Sequence, residues 1–271
     1  MASTSKYNKL AGKSILVFGG TSGIGFCVAE GCVEHGARVI VTGSSAGTVD
    51  NAVKRIQATY PSAADSVTGY ACDLADPTKV EANVEELLQK AVAWAGEGKT
   101  AKKLDHIAFL AGDATKPSAI TEMNPTAELP PLLAVRIYAV LAIAKLASRY
   151  VEVSSASSLT LTGGAIPDKP MQGVSLIAAV GGAIITLGRG LAVDLQPIRV
   201  NTISPGLVYT ERFERTAPGD KLGPFLEFAK STTLFKEVGK PEDVAEAYLY
   251  TMKDGFMTGE HIRSNGGYFL V

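Results

Sequence analysis

The sequence predicts an α/β protein of Rossmann type: one domain built on a doubly wound parallel sheet with helices on both faces. Three observations predict it. Short β-rich apolar runs alternate with longer amphipathic ones from residue 13 onward, a glycine-rich turn joins the first run to the second, and 271 residues suffice for one large core.

The elements follow in order. SILVF (14–18) is apolar without alternation, as expected of a strand covered on both faces. IGFCVAEGCVEHG (24–36) reads as a helix closed by Gly36, and RVIVT (38–42) as the strand that completes a βαβ unit. A helix near 47–58, a strand near 66–71, a helix from Pro77 to Trp94 and the strand DHIAFL (105–110) continue the alternation. A long helix is expected after Pro130-Pro131, then the strand SLTLT (158–162), an apolar helix over 171–195 and the strand IRVNTI (198–203). Residues 1–12 form an N-terminal extension and 13–271 the domain. Two segments, 164–173 and 204–225, break the pattern directly after strands. An open α/β sheet binds its ligand beyond the carboxyl ends of its strands, so these are the expected substrate loops.

Composition narrows the partners. Lys+Arg 26 against Asp+Glu 27 gives a net charge of -1 without a basic stripe, which argues against nucleic acid and anionic membranes and for a small molecule. Cys27, Cys32 and Cys72 lie among small or apolar residues, outside metal-ligand spacing, and are expected as free thiols in a reducing cytoplasm. No apolar leader segment is visible at the N-terminus. The uncharged run 173–188 is shorter than the roughly 20 residues a bilayer needs and holds four glycines, so it reads as an internal helix. His35, His106 and His261 are too scattered to assemble a metal site, and none is expected.

The glycine turn GGTSGIG (19–25) carries the binding chemistry. Gly19, Gly23 and Gly25 permit a tight turn and close backbone approach to a pyrophosphate, and Thr21, Ser22 and Ile24 complete the loop at a helix N-terminus that favours negative charge. At the end of the second strand, Thr-Gly-Ser-Ser (42–45) stands where an acidic residue would bind the ribose hydroxyls of NAD. Ser44 and Ser45 are instead able to accept a 2′-phosphate, which favours NADP(H); as plain solvated loop serines they would carry no such preference.

These motifs, with CDL (72–74), AG (111–112), PIRVN (197–201), SPGLVYT (204–210) and NGGY (265–268) in order and spacing, resemble the short-chain dehydrogenase/reductase family over nearly the whole chain. The resemblance implies that Asp73 lies on the adenine side, that Ala111, Gly112, Pro205 and Gly206 border the cofactor, and that Val208 and Thr210 meet the nicotinamide amide. It also implies a homodimer or homotetramer through the helices near 131–149 and 173–195. The departures are as informative. Anchored on Arg189, the family's tyrosine and lysine positions fall on Ile177 and Gly181, its serine on Thr162, and its helix asparagine on Arg136.

Without a tyrosine to protonate an alkoxide, a chain with this cofactor turn suits an electrophile that is already charged. Reduction of an iminium gives a neutral amine with no proton owed, and needs an anion near the cation. Asp168, between Pro167 and Pro170, is the candidate counter-ion, with a solvated turn aspartate as the alternative; Arg136 would bind a substrate carbonyl or pair with Asp168, with a structural ion pair as its alternative. An Arg at that helix position, a Pro-Asp-Lys-Pro loop and no Tyr-Lys pair also resemble a divergent fungal branch from malbrancheamide- and paraherquamide-type pathways. That branch reduces a cyclic iminium with NADPH and directs an intramolecular Diels-Alder reaction, which implies a prenylated indole alkaloid intermediate as substrate. Two other readings stay open: a redox-silent NADP(H)-binding protein, and a carbonyl reductase whose proton donor has moved to Tyr138 or Lys169.

Overall fold

The computed structural model describes residues 6–97, 100–112 and 117–271; the first five residues of the expected N-terminal extension lie outside them. Seven parallel strands form one sheet in the order β3-β2-β1-β4-β5-β6-β7. They are β1 (Ser14–Phe18), β2 (Arg38–Gly43), β3 (Val67–Ala71), β4 (His106–Phe109), β5 (Ser158–Thr162), β6 (Arg199–Pro205) and β7 (His261–Ser264). The chain runs outward from β1 to β3, then returns to the other side of β1 at β4, so the winding reverses between β1 and β4. That reversal opens a crevice at the carboxyl ends of these two strands.

Burial follows from the two covering layers. One core cluster joins Leu16, Phe18 and Phe109 of the sheet to α3 (Val80–Ala95) and the helices α5 and α6 defined below. On the other face, Ile15, Val17 and Val39 meet α1 (Gly23–Glu34), α2 (Ala46–Thr59) and a C-terminal helix. Leu10, ahead of β1, is fully buried in this second cluster, so the extension packs against the domain from residue 10. All three cysteines are free thiols; burial pushes Cys27 up to about 11 and Cys32 and Cys72 up to about 12.

The helix expected after Pro130-Pro131 starts before them. Asn124 caps α4 (Pro125–Leu133), its side chain accepting from the Ala127 N–H, and both prolines lie inside the helix. They remove two ladder donors, and the chain continues through a π turn, Ala134–Tyr138, into α5 (Ala139–Tyr150). Arg136 rides on that π turn. The apolar helix begins at Ser175 rather than 171, because Gly173 sits at φ +81, outside helical space; α6 spans Ser175–Asp194. Pro125–Tyr150 and Ser175–Asp194 are long and apolar enough to cross a membrane by composition, but here both flank the sheet.

The 204–225 segment is not wholly irregular. It holds α7 (Glu211–Thr216) and leads into α8 (Leu222–Ser231), joined by contacts of Phe213 with Phe225 (4.8 Å between centroids) and Phe225 with Phe228 (6.5 Å). α9 (Pro241–Lys253) and β7 then close the sheet. The PIRVN stretch is structural: buried Arg199 donates to the carbonyls of Ser155, Thr251 and Met252, and Asn201 bridges the Met257 carbonyl and the Glu260 N–H.

Candidate active site

A cleft of about 580 Å³ opens over the carboxyl ends of β1, β4 and β5. Its floor is the glycine turn. Gly19 has φ +75, and a Cβ there would meet the Ala111 nitrogen at 2.8 Å; a Cβ on Gly25 would lie 2.1 Å from the Gly19 carbonyl oxygen. Only glycine fits either position. Ser22, the α1 N-cap, makes no side-chain capping bond, so the helix offers its N-terminal amides to the cleft. These features fit a dinucleotide pyrophosphate: space set by glycine and backbone donors at a helix N-terminus that no side chain of the helix itself caps.

All of the expected cofactor residues line this cleft except Ser45. Ser45 instead caps α2, its Oγ accepting from the Thr48 N–H (3.4 Å) and hydrogen-bonded to Thr48 Oγ1 (2.9 Å). Its hydroxyl is spent locally, as the N-cap position demands, and Ser44 alone of the two faces the cleft. Asp73 lines the adenine end, with one carboxylate oxygen accepting from the Ala75 N–H at 2.9 Å.

The wall that α6 and the 164–173 loop contribute to the other half of the cleft is apolar. From α6 come Ile177, Val180, Gly181 and Ile184, and from the 164–173 loop Ile166, Pro167 and Met171. Helix α6 has neither tyrosine nor lysine. Pro167 fills the space over Gly181, where a Cβ would come within 2.8 Å of its Cγ. Thr162 Oγ1 donates to the Phe109 carbonyl (2.7 Å) and hydrogen-bonds to the Tyr248 hydroxyl (2.8 Å). Both of its bonds serve the fold, and burial pushes the Tyr248 phenol upward.

Arg136 lines the cleft from the π turn. It donates from Nη1 to the Thr162 carbonyl (3.3 Å), and its guanidinium presses against Gly112, where a Cβ would fall 2.3 Å from Nη2. Asp168 is placed differently from expectation. It does not line the cleft, and its Oδ2 accepts from Arg263 Nε of β7 at 2.9 Å, the two side chains 32% and 45% exposed. Pro167 turns toward the cleft and the next residue turns toward the sheet edge. Neither relocated donor lines the cleft: Tyr138 is exposed, and Lys169 donates to the Tyr268 carbonyl (2.9 Å) and to the Val271 carbonyl.

Phe213 and Arg215 of α7, inside the expected 204–225 loop, and Tyr268, the last residue of NGGY, also line the cleft. Gly266 and Gly267, at φ +60 and +77, turn the chain back so that Tyr268 reaches the cleft, and paired glycines before an aromatic are the signal that marks it. The 164–173 loop is held from below: the Gly164 N–H donates to Ser204 Oγ (3.1 Å), which is hydrogen-bonded to His261 Nε2 (2.6 Å). Burial pushes His261 down, helped by Arg263 and Arg189 and opposed by Asp168.

Residues 6–271 match the family described as SDR-like Rossmann domain. The short-chain dehydrogenase/reductase malC of Malbranchea aurantiaca is 38% identical over 264 residues, 96% of each chain, and ucsE of Acremonium sp. is 38% identical over 266 residues, 97% of this chain and 98% of the other. The solved structure of the MalC reductase/Diels-Alderase superposes with a TM-score of 0.90 at 36% identity, covering 98% of this chain and 99% of that one. A short-chain dehydrogenase of Burkholderia cenocepacia, solved in complex with NADP, superposes at 0.79 with 26% identity, covering 96% and 99%.

Proposed function

The chain belongs to the short-chain dehydrogenase/reductase family and is an oxidoreductase, and from that premise we propose that it reduces a cyclic iminium with NADPH, in the making of an indole-alkaloid type of secondary metabolite. The observation that carries this reading is the α6 wall: four lining residues without a titratable group, facing Arg136 across the cleft. A ketone reduced there would leave an alkoxide with no acid at the usual wall, a loss of about 10² to 10⁴ in rate. An iminium owes no proton.

A reduced nicotinamide dinucleotide, its pyrophosphate held at the glycine turn, would supply the hydride. The chain's residues bind, orient and exclude water. Ser44, with no carboxylate at the end of β2, leaves room for a 2′-phosphate, and the Burkholderia relative solved with NADP supports the same preference. Arg136 presents a planar donor set to a substrate carbonyl or amide oxygen. Asp168 serves as counter-ion by exchanging its partner: an exposed pair such as Asp168–Arg263 contributes at most about 1 kcal/mol, so turning the carboxylate toward a cation costs little. The apolar wall of Ile166, Met171 and Ile177 suits a prenylated indole. A substrate held folded there is oriented for an intramolecular Diels-Alder step, the second activity named for the MalC structure. Exposed apolar residues on the flanking helices, Leu141 and Val193 among them, suit burial in a homodimer or homotetramer, and free thiols suit the cytoplasm.

Stopped-flow loss of NADPH absorbance tests this directly, with a cyclic iminium and its matching cyclic ketone. Oxidation by the iminium alone is expected. Turnover of the ketone at a comparable rate, or tight NADPH binding without turnover of either, overturns the proposal.

A further inference from the structure

The glycine turn is touched by a carboxylate from far along the chain. The Gly23 N–H, the first backbone donor of α1, donates to Glu211 Oε2 at 3.0 Å, across 188 residues of sequence. Helix α1 has no acidic residue in its own first turn and no side-chain N-cap bond, so Glu211 supplies the negative charge that the helix itself lacks. The neighbouring residue takes part: Thr210 Cγ2 lies 3.0 Å from where a Cβ of Gly23 would stand. The lid formed by α7 and α8 therefore rests on the glycine turn through two consecutive residues, Thr210 and Glu211. Phe213 links α7 to Tyr209 (5.9 Å between centroids) and to Phe225 of α8 (4.8 Å), so displacing one end of the lid carries the rest with it.

A helix N-terminus stabilises a nearby anion, and a dinucleotide pyrophosphate is held by these same amides. Two anions do not share one donor without repulsion. We propose that Glu211 is a gate on the cofactor site: its carboxylate competes with the pyrophosphate for the Gly23 N–H, so that binding the dinucleotide releases α7 from the glycine turn. Binding and lid release are then one equilibrium, and the affinity measured is the intrinsic affinity reduced by the fraction of molecules with the lid released. The proposal rests on the dinucleotide reading above and is independent of the iminium.

The test is the dissociation constant of NADPH, followed by nicotinamide fluorescence, for the unsubstituted protein, Glu211→Gln and Glu211→Ala. Glu214→Gln is the control; it alters a carboxylate of the same helix that bonds to Tyr209 and not to the turn. Removing the competing charge should tighten NADPH binding about three- to tenfold in both Glu211 variants, with Glu214→Gln unchanged. A second readout is limited proteolysis within 211–231, which NADPH should accelerate in the unsubstituted protein and scarcely alter in Glu211→Gln. Unchanged affinity in the Glu211 variants overturns the gate, and weaker affinity overturns it in favour of a latch that retains the cofactor. Failure of the unsubstituted protein to bind NADPH sinks the dinucleotide reading itself, and the gate with it.

Discussion

Gly112→Ala tests the placement of Arg136 without touching its charge. A Cβ at residue 112 would stand 2.3 Å from Nη2, 2.5 Å from Cζ and 2.6 Å from Nε of Arg136. Ordinary contact begins near 3.5 Å, so the guanidinium must retreat by about 1 Å. The group that yields is the far end of a long side chain, and Gly112 is exposed with φ outside the left-handed region. The fold should therefore lose no more than about 0.5 kcal/mol. The bond from Nη1 to the Thr162 carbonyl, already 3.3 Å long, should break. A misplacement of about 1 Å in an orienting group is able to cost about a hundredfold in rate, or about 2.7 kcal/mol at the barrier. Single-turnover oxidation of NADPH by a cyclic iminium reads that loss, and the NADPH dissociation constant, expected within about threefold of the unsubstituted protein, separates it from damage to the cofactor site. A turnover rate within about twofold of the unsubstituted protein would refute an orienting role for the guanidinium, whatever its charge contributes.

Three further outcomes follow from other contacts. Gly25→Ala places a Cβ 2.1 Å from the Gly19 carbonyl and should abolish NADPH binding by isothermal titration; retained affinity would show that the turn is not the pyrophosphate site. Asp168→Asn should slow iminium reduction by about 10², whereas Arg263→Ala, which frees the carboxylate, should not slow it; the opposite ranking would mean that the pair only fastens the loop to β7. His106 is buried, hydrogen-bonded to Ser158, and burial pushes it from 6.5 down to about 3 despite Asp105, with Arg199 and Lys13 pressing the same way. Because the folded value is the lower one, unfolding takes up a proton below pH 6.5, and stability is lost as pH falls from there toward 3. Urea unfolding should show the protein losing about 2 kcal/mol between pH 7 and pH 5 relative to His106→Gln, and parallel profiles would refute the buried neutral imidazole.

The contrast between the two halves of the cleft explains what could be read without a structure. The glycine turn is a local constraint: Gly19 and Gly25 are dictated by atoms within a few residues or on the adjacent strand, so spacing reveals them. Sheet order follows in the same way, since continuous apolar strands and intervening helices leave few parallel arrangements. Ser45 is legible too: Thr48 stands three residues on at the start of a helix, the spacing of an N-cap. The proline pair misleads for a physical reason: prolines are read as a helix boundary, but a helix already capped at Asn124 absorbs them through a π turn. The substrate half is assembled from groups far apart in sequence. Asp168 is claimed by Arg263 95 residues away, and Lys169 by Tyr268 99 residues away. No window of sequence contains both members of either pair, and which way a loop aspartate turns is decided by its partner. The same separation makes this half easy to remodel: the sheet and glycine turn fix where a cofactor lies, while the substrate wall answers to a few long-range contacts that change without disturbing either core cluster.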